Sequence, residues 1–159
     1  MIRPCVVYKD SCEEAITFYV SLFPNSRVIS ITKSETDGPI AKGKVLGAIF
    51  QLDGREYMSF DGGETFDFSE GFSLMVTCKT QEDVDRYWTA LTANGGEEGP
   101  CGWLKDRFGL SWQIIPEALS QMLSDPRSGD SQAAFQAMLK MKKLDIATLE
   151  RAYNGSRVA

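Results

Sequence analysis

The chain has 159 residues, and its 17 Lys+Arg against 22 Asp+Glu leave a formal net charge of −5, without the basic face that binding to a phosphate backbone requires. With 43% hydrophobic and 25% charged residues it has the composition of an ordinary globular protein. It contains no histidine, which excludes Ser-His-Asp and Cys-His catalysis, HExxH zinc sites and the two-His-one-carboxylate iron triad together, and leaves acid–base chemistry near pH 7 to a shifted carboxylate, cysteine, lysine or tyrosine.

In chain order, Arg3–Tyr8 is a short β-rich run and 11–22 a helix. Pro24-Asn25-Ser26 breaks the chain before a strand over 27–32. Thr36-Asp-Gly-Pro39 is a turn, followed by a strand over 44–52, the hairpin signal Asp53-Gly54 and a returning strand over 56–60. Asp61-Gly-Gly-Glu64 through Ser69-Glu-Gly71 reads as a linker. A second β-rich run, 72–78, precedes a helix over 80–91 that Asn94-Gly95-Gly96 ends. An extended stretch over 99–105, the turn Asp106-Arg-Phe-Gly109 and a strand over 110–115 complete this half. Beyond Pro116 the pattern is helical: 118–123, a break from Pro126 to Gly129, 132–141 with Phe135, Met138 and Leu139 on one side, and 146–153 with Ile146, Leu149 and Tyr153. Lys140, Lys142 and Lys143 read as a solvated face beside a helix C-terminus. Helices with one apolar stripe must cover something, either the sheet or a partner subunit.

The two halves repeat. At an offset of 69, Ser11 meets Thr80, Glu14 meets Asp83, Phe18-Tyr19 meets Tyr87-Trp88 and Leu22 meets Leu91. Each helix opens with a hydroxyl residue and an acid three positions on, the capping-box spacing. Each carries apolar residues at i, i+3, i+4 and i+7: Ala15, Phe18, Tyr19, Leu22 and Val84, Tyr87, Trp88, Leu91. The organisation expected is one α+β domain over 1–159, with module one over 1–61, module two over 71–116 and a helical extension over 117–159.

Cys5, Cys12, Cys78 and Cys101 include no CxxC pair, so neither a zinc knuckle nor a thioredoxin-type motif is present. Four reduced thiols are expected, Cys12 in the first helical turn being the one nearest the surface. Cys5 and Cys101 would be nucleophiles only with a lowered pKa, for which Arg3 is the cation near Cys5. No apolar run reaches the roughly 18–20 residues of a membrane span and Met1-Ile2-Arg3-Pro4 opens no signal-peptide core. A cytoplasmic protein with neither membrane nor nucleic-acid partners is expected.

Several phrases resemble a known family: Glu14-Ala15 with Phe18-Tyr-Val-Ser-Leu-Phe-Pro24, Phe60-Asp-Gly-Gly63, Val84-Asp-Arg-Tyr-Trp88, Gly102-Trp-Leu-Lys-Asp-Arg-Phe-Gly109 with Ser111-Trp-Gln, and Met138-Leu-Lys-Met-Lys-Lys-Leu-Asp-Ile146. The chain is similar to the PhnB-like, or 3-demethylubiquinone-9 3-methyltransferase domain, branch of the vicinal-oxygen-chelate (glyoxalase/bleomycin resistance/dioxygenase) superfamily. The resemblance implies a glyoxalase-like fold: tandem βαβββ modules whose mixed sheets form half-barrels around a small-molecule cavity, plus C-terminal helices. It also implies a homodimer, with pairing of the halves within or between chains left open. Metal-using relatives supply one inward ligand, usually His or Glu, from the first and last strand of each module. Aligning Gly54 with Gly109 pairs Met58 with Gln113, and the helix offset pairs Arg3 with Phe72. A cation, a thioether, a ring and an amide do not make a divalent-metal site, so no metal is expected.

Strand alternation then puts Cys5, Val7, Phe60, Leu74, Val76 and Ser111 on the inward face with Arg3, Met58, Phe72 and Gln113, and turns Tyr57, Ser59 and Trp112 toward the helices. Trp103 could stack on a planar ligand or plug the half-barrel, and Asp61 could act as base or substrate anchor or initiate a turn. The expected ligand-binding set is therefore Arg3, Cys5, Met58, Phe60, Asp61, Phe72, Leu74, Trp103 and Gln113. Lys105 and Asp106 read as a solvent-facing pair of little energetic worth. No cofactor is evident. The family description implies methyl transfer to a quinone-like phenol, for which S-adenosylmethionine would be the donor, yet Gly62-Gly63 and Gly95-Gly96 open no strand-to-helix cofactor loop. The expected function is metal-independent small-molecule binding, catalytic only if the family description holds. The alternatives are a non-catalytic sequestering protein and, further off, a metal-dependent lyase or dioxygenase.

Overall fold

Residues 2–155 are described by a computed structural model, so Met1 and residues 156–159 of the expected extension lie outside the described residues. The chain divides into two compact units, Met1–Asp67 and Phe68–Ala159. The first contains β1 (Cys5–Tyr8), α1 (Cys12–Leu22), β2 (Arg27–Lys33), β3 (Val45–Leu52) and β4 (Arg55–Asp61). The second contains β5 (Leu74–Cys78), α2 (Gln81–Thr92), β6 (Glu97–Glu98), β7 (Trp103–Lys105) and β8 (Ser111–Pro116), then α3 (Glu117–Ser124), α4 (Ser131–Met138) and α5 (Ile146–Gly155). Each unit has a four-stranded mixed sheet, ordered β1-β4-β3-β2 and β5-β8-β7-β6. The outer β1/β4 and β5/β8 pairs are parallel and the others antiparallel. The architecture is α+β, two βαβββ modules of glyoxalase-like type with C-terminal helices. The two-residue strand β6 has too little sequence to carry a periodic signal.

The helix α2 packs the apolar face that its spacing dictates, while the buried face of α1 is turned toward Cys12 and Ile16 and leaves Phe18 and Leu22 half-buried. Ala15, Ile16 and Tyr19 of α1, and Val84, Tyr87, Trp88 and Leu91 of α2, are buried. They lie against one face of their sheet, where Phe50, Tyr57, Ser59, Trp112 and Ile114 are buried as well. The helix N-termini differ. Thr80 Oγ1 accepts from Asp83 N at 3.1 Å as a capping box requires, while Ser11 makes no side-chain cap. Asp61 takes over that role: its Oδ1 accepts from Cys12 N and its Oδ2 from Val45 N, both at 2.8 Å.

The C-terminal helices form a core of their own within the second unit. Leu119, Met122, Ala134, Leu144 and Leu149 are buried together, with Ile115, Ala137, Met138 and Tyr153 packed around them. The apolar face of α4 runs through Ala134, Ala137 and Met138, whereas Phe135 and Leu139 of the expected stripe are exposed. The three lysines are exposed, as a solvated face requires, with Lys143 also paired to Asp85 at 2.6 Å and Lys142 to Glu98 at 3.9 Å.

Candidate ligand site on the open sheet faces

The sheet face turned away from each helix is a patchwork of apolar and polar side chains. In the first unit the register aligns Cys5, Met58 and Ile49 in one row and Val7 with Phe60 in the next. Phe66, from the loop after β4, meets Phe60 edge-on at 6.3 Å. Lys9 holds that loop through Asp67 at 3.0 Å and Glu64 at 3.8 Å. Gly62 is required beneath it, because a Cβ there would come within 2.5 Å of the Phe66 ring and 2.6 Å of Val7. In the second unit the matching row is Met75, Gln113 and Trp103, with Thr77 and Ile115 beyond it.

This row corrects the expected face of β5. Leu74 and Val76 pair with Trp112 and Ile114 on the helix side, and Met75, 62% exposed, takes the open position. The cause is loop length. Three residues, Lys9 to Ser11, separate β1 from α1, but only Lys79 and Thr80 separate β5 from α2. The offset is therefore 69 across the helices and 70 across the strands, Cys5 matching Met75. A slip of one residue exchanges the two faces of a strand. Phe72, 47% exposed, precedes the ladder, and the polar neighbour of Gln113 is Ser73, whose Oγ accepts from Nε2 at 2.9 Å.

Of the other expected residues, Cys5, Met58, Phe60, Trp103 and Gln113 occupy the open faces. Arg3 lies just before β1, bound to Glu56 at 2.7 Å. Asp61 belongs to the buried side and serves two backbone N–H groups, so its own carboxylate does not stand at a cavity mouth. Asp106 is likewise internal: it accepts from Phe108 N at 2.9 Å, Leu110 N at 3.1 Å and Trp112 Nε1 at 2.8 Å. Lys105 pairs with Glu70 instead. That contact, together with Glu97, raises the Lys105 pKa, and the same pair lowers the carboxyl pKa of Glu70. The sequence offered no sign of Glu70 in this region, since it lies in what reads as a linker.

A cavity of about 410 Å³ opens beside Trp103, bounded by Glu70, Glu97, Gly99, Pro100, Lys105 and Ser111. The two thiols of the first unit are poor nucleophiles. Partial burial pushes Cys5 up, with Arg3 engaged by Glu56. Cys12, expected near the surface, is fully buried and its pKa is pushed up to about 11, chiefly by that burial.

The rows that correspond to the metal-bearing positions of relatives offer thioether, thiol and amide groups in place of carboxylate or imidazole. One thiol held protonated by its raised pKa, beside thioether and amide groups, falls short of the three or four donors a divalent cation needs, and among the described residues no three of His, Cys, Asp and Glu are grouped to hold one. One glycine of each pair is closed in by its neighbours, while Gly63 and Gly95 face open space. The Cβ space of Gly62 is filled by Phe66 and Val7, and that of Gly96 by Leu91 O at 2.5 Å. No helix among the described residues is long and apolar enough to cross a membrane.

No protein of curated function matches the chain. Among solved structures it is similar to a Bacillus cereus protein described as a putative 3-demethylubiquinone-9 3-methyltransferase, PhnB protein, with 34% identity over 72% of this chain and 98% of that one and a TM-score of 0.66. Protein PA1353 from Pseudomonas aeruginosa matches at 20% identity over 74% of this chain and 97% of its own, TM-score 0.61. The fosfomycin resistance protein FosX from Mesorhizobium loti matches at 14% identity over 79% and 97%, TM-score 0.55, a likeness of fold alone. The family model described as 3-demethylubiquinone-9 3-methyltransferase matches residues 1–115 and ends before α3. With two βαβββ modules of this register and that match, the chain belongs to the 3-demethylubiquinone-9 3-methyltransferase (PhnB) family.

Proposed function

We propose that the protein binds a small, partly aromatic molecule without a metal, at the cavity on the open face of the second sheet. The observation that carries this reading is the row Met75–Gln113–Trp103, whose indole lines a cavity of about 410 Å³, within the size range of small-molecule sites. The ring offers a stacking surface, and the Ser111 hydroxyl, in the same lining, can orient a polar atom of the ligand. Binding without turnover is the reading the site chemistry favours, since it presents no activated nucleophile and no cofactor cradle. Methyl transfer to a quinone-like phenol is the second reading and rests on the family description. It would need S-adenosylmethionine as donor. A metal-dependent lyase or dioxygenase is disfavoured by the donor set.

Thermal shift with a panel of methoxyphenols and quinones, with and without S-adenosylmethionine and EDTA, separates these readings. Stabilisation by an aromatic compound, indifferent to EDTA and lost in Trp103→Ala, supports the binder. A methylated product by mass spectrometry supports the enzyme. Absence of any aromatic-induced shift would sink both. The same reading includes a homodimer, because Phe72 and Met75 of the second unit, 47% and 62% exposed, are apolar surface of the kind that marks interfaces. A purely monomeric sedimentation profile at micromolar concentration would overturn that part.

A further inference from the structure

The hairpin over 99–103, which forms one wall of the cavity, is held from outside by the C-terminal extension. Cys101 has φ +58° and Gly102 φ +83°, consecutive left-handed residues, a conformation disfavoured for the cysteine. Both of their amides donate to the extension: Cys101 N to Met141 O at 2.7 Å and Gly102 N to Lys142 O at 2.8 Å. Leu144 is fully buried and its Cδ1 lies 3.0 Å from where a Gly102 Cβ would be. The same few residues are anchored to α2. Gln81 Nε2 donates to Leu144 O at 3.1 Å while Gln81 Oε1 accepts from Ile146 N at 2.8 Å, so one side-chain amide satisfies backbone groups on both sides of Asp145. Lys142 reaches Glu98 at the base of the hairpin.

We propose that residues 141–146 act as a strap, latched by Gln81, that sets the conformation of the 99–103 hairpin and so the shape of the cavity beside Trp103. The family model ends at residue 115, so this control is exerted by a segment beyond the part the family model matches. Coupling between two sites is reciprocal: a ligand that fits the cavity also tightens the strap. The functional consequence rests on the binding reading above, whereas the strap itself is read without a ligand.

The test is residue-resolved amide exchange on the full chain, comparing wild type with Gln81→Leu, Leu144→Ala and the surface control Lys140→Ala. The expected result is exchange faster by about tenfold or more at Cys101 and Gly102 as well as Ile146 in Gln81→Leu, with the first sheet and the control unchanged. Faster exchange at Ile146 alone, or no change at all, overturns the strap. If Leu144→Ala unfolds the unit, Gln81→Leu, which leaves the apolar core intact, decides. In parallel, the affinity for 8-anilinonaphthalene-1-sulfonate should fall about fivefold or more in Gln81→Leu. A wild-type protein that does not bind this probe counts against the binding reading, and the exchange result still decides the strap.

Discussion

Asp61 Oδ1 accepts a hydrogen bond from the backbone N–H of Cys12 at 2.8 Å, across 49 residues of sequence. The last strand of the first module thereby caps the helix that follows its first strand. With Oδ2 on Val45 N, the buried carboxylate ties β3, β4 and α1 together. Asp61→Ala would leave two buried donors without an acceptor and is expected to lower stability by about 3 kcal/mol. Asp61→Asn, which keeps one acceptor, should cost less. Urea unfolding measures both, and an Asp61→Ala protein as stable as wild type would contradict this role.

The two helix N-termini should respond differently to loss of their hydroxyls. Thr80→Ala removes a cap bond to Asp83 N and is expected to cost about 1 kcal/mol. Ser11→Ala removes none and should stay within about 0.5 kcal/mol of wild type. Equal losses in denaturant titrations would refute the assignment of Asp61 as the substitute cap.

Neighbouring residues of β5 offer a direct check of its register. Leu74 faces the helix side with Trp112, and Met75 faces the open side with Gln113. Leu74→Ser should destabilise the protein by about 2 kcal/mol. Met75→Ser should leave the midpoint nearly unchanged and alter the binding of an aromatic probe. The reverse pattern would restore the opposite face.

Thiol chemistry should divide the cysteines by burial. Cys12 and Cys78 are buried, and desolvation pushes both from the ordinary 9.0 up to about 11. In the native protein iodoacetamide is expected to modify Cys5 and Cys101 first, and Cys12 and Cys78 only on unfolding. Between pH 9.0 and about 11 the unfolded chain releases these two protons while the folded chain retains them. Their contribution to stability is therefore complete below pH 9.0 and is lost as pH rises toward 11. Thermal midpoints rising across that interval in the wild type, or unaltered by Cys12→Ala and Cys78→Ala together, would oppose this.

What the sequence by itself determined is what depends on local periodicity. The buried face of α2 follows from apolar spacing, that of α1 only through Ala15 and Tyr19, and the βαβββ repeat follows from the match between Ser11–Leu22 and Thr80–Leu91. The register of β4 against β8 follows as well, because Asp53-Gly54 and Gly109 occupy matching turns before Met58 and Gln113. Tertiary structure alone decided the face of β5, because a loop shorter by one residue changes the repeat offset from 69 to 70 exactly where side-chain direction alternates. It also decided the role of Asp61: an acid before a glycine-rich turn looks the same in sequence whether it meets solvent or two backbone N–H groups brought from elsewhere in the chain, whereas Asp106 closes its own turn on Phe108 N and Leu110 N. The strap is of the same kind. Neither Gln81 nor Leu144 is distinctive in its own helix or loop, and their hydrogen bond at 3.1 Å joins positions 63 residues apart, a contact that exists only once both segments have packed on the second sheet.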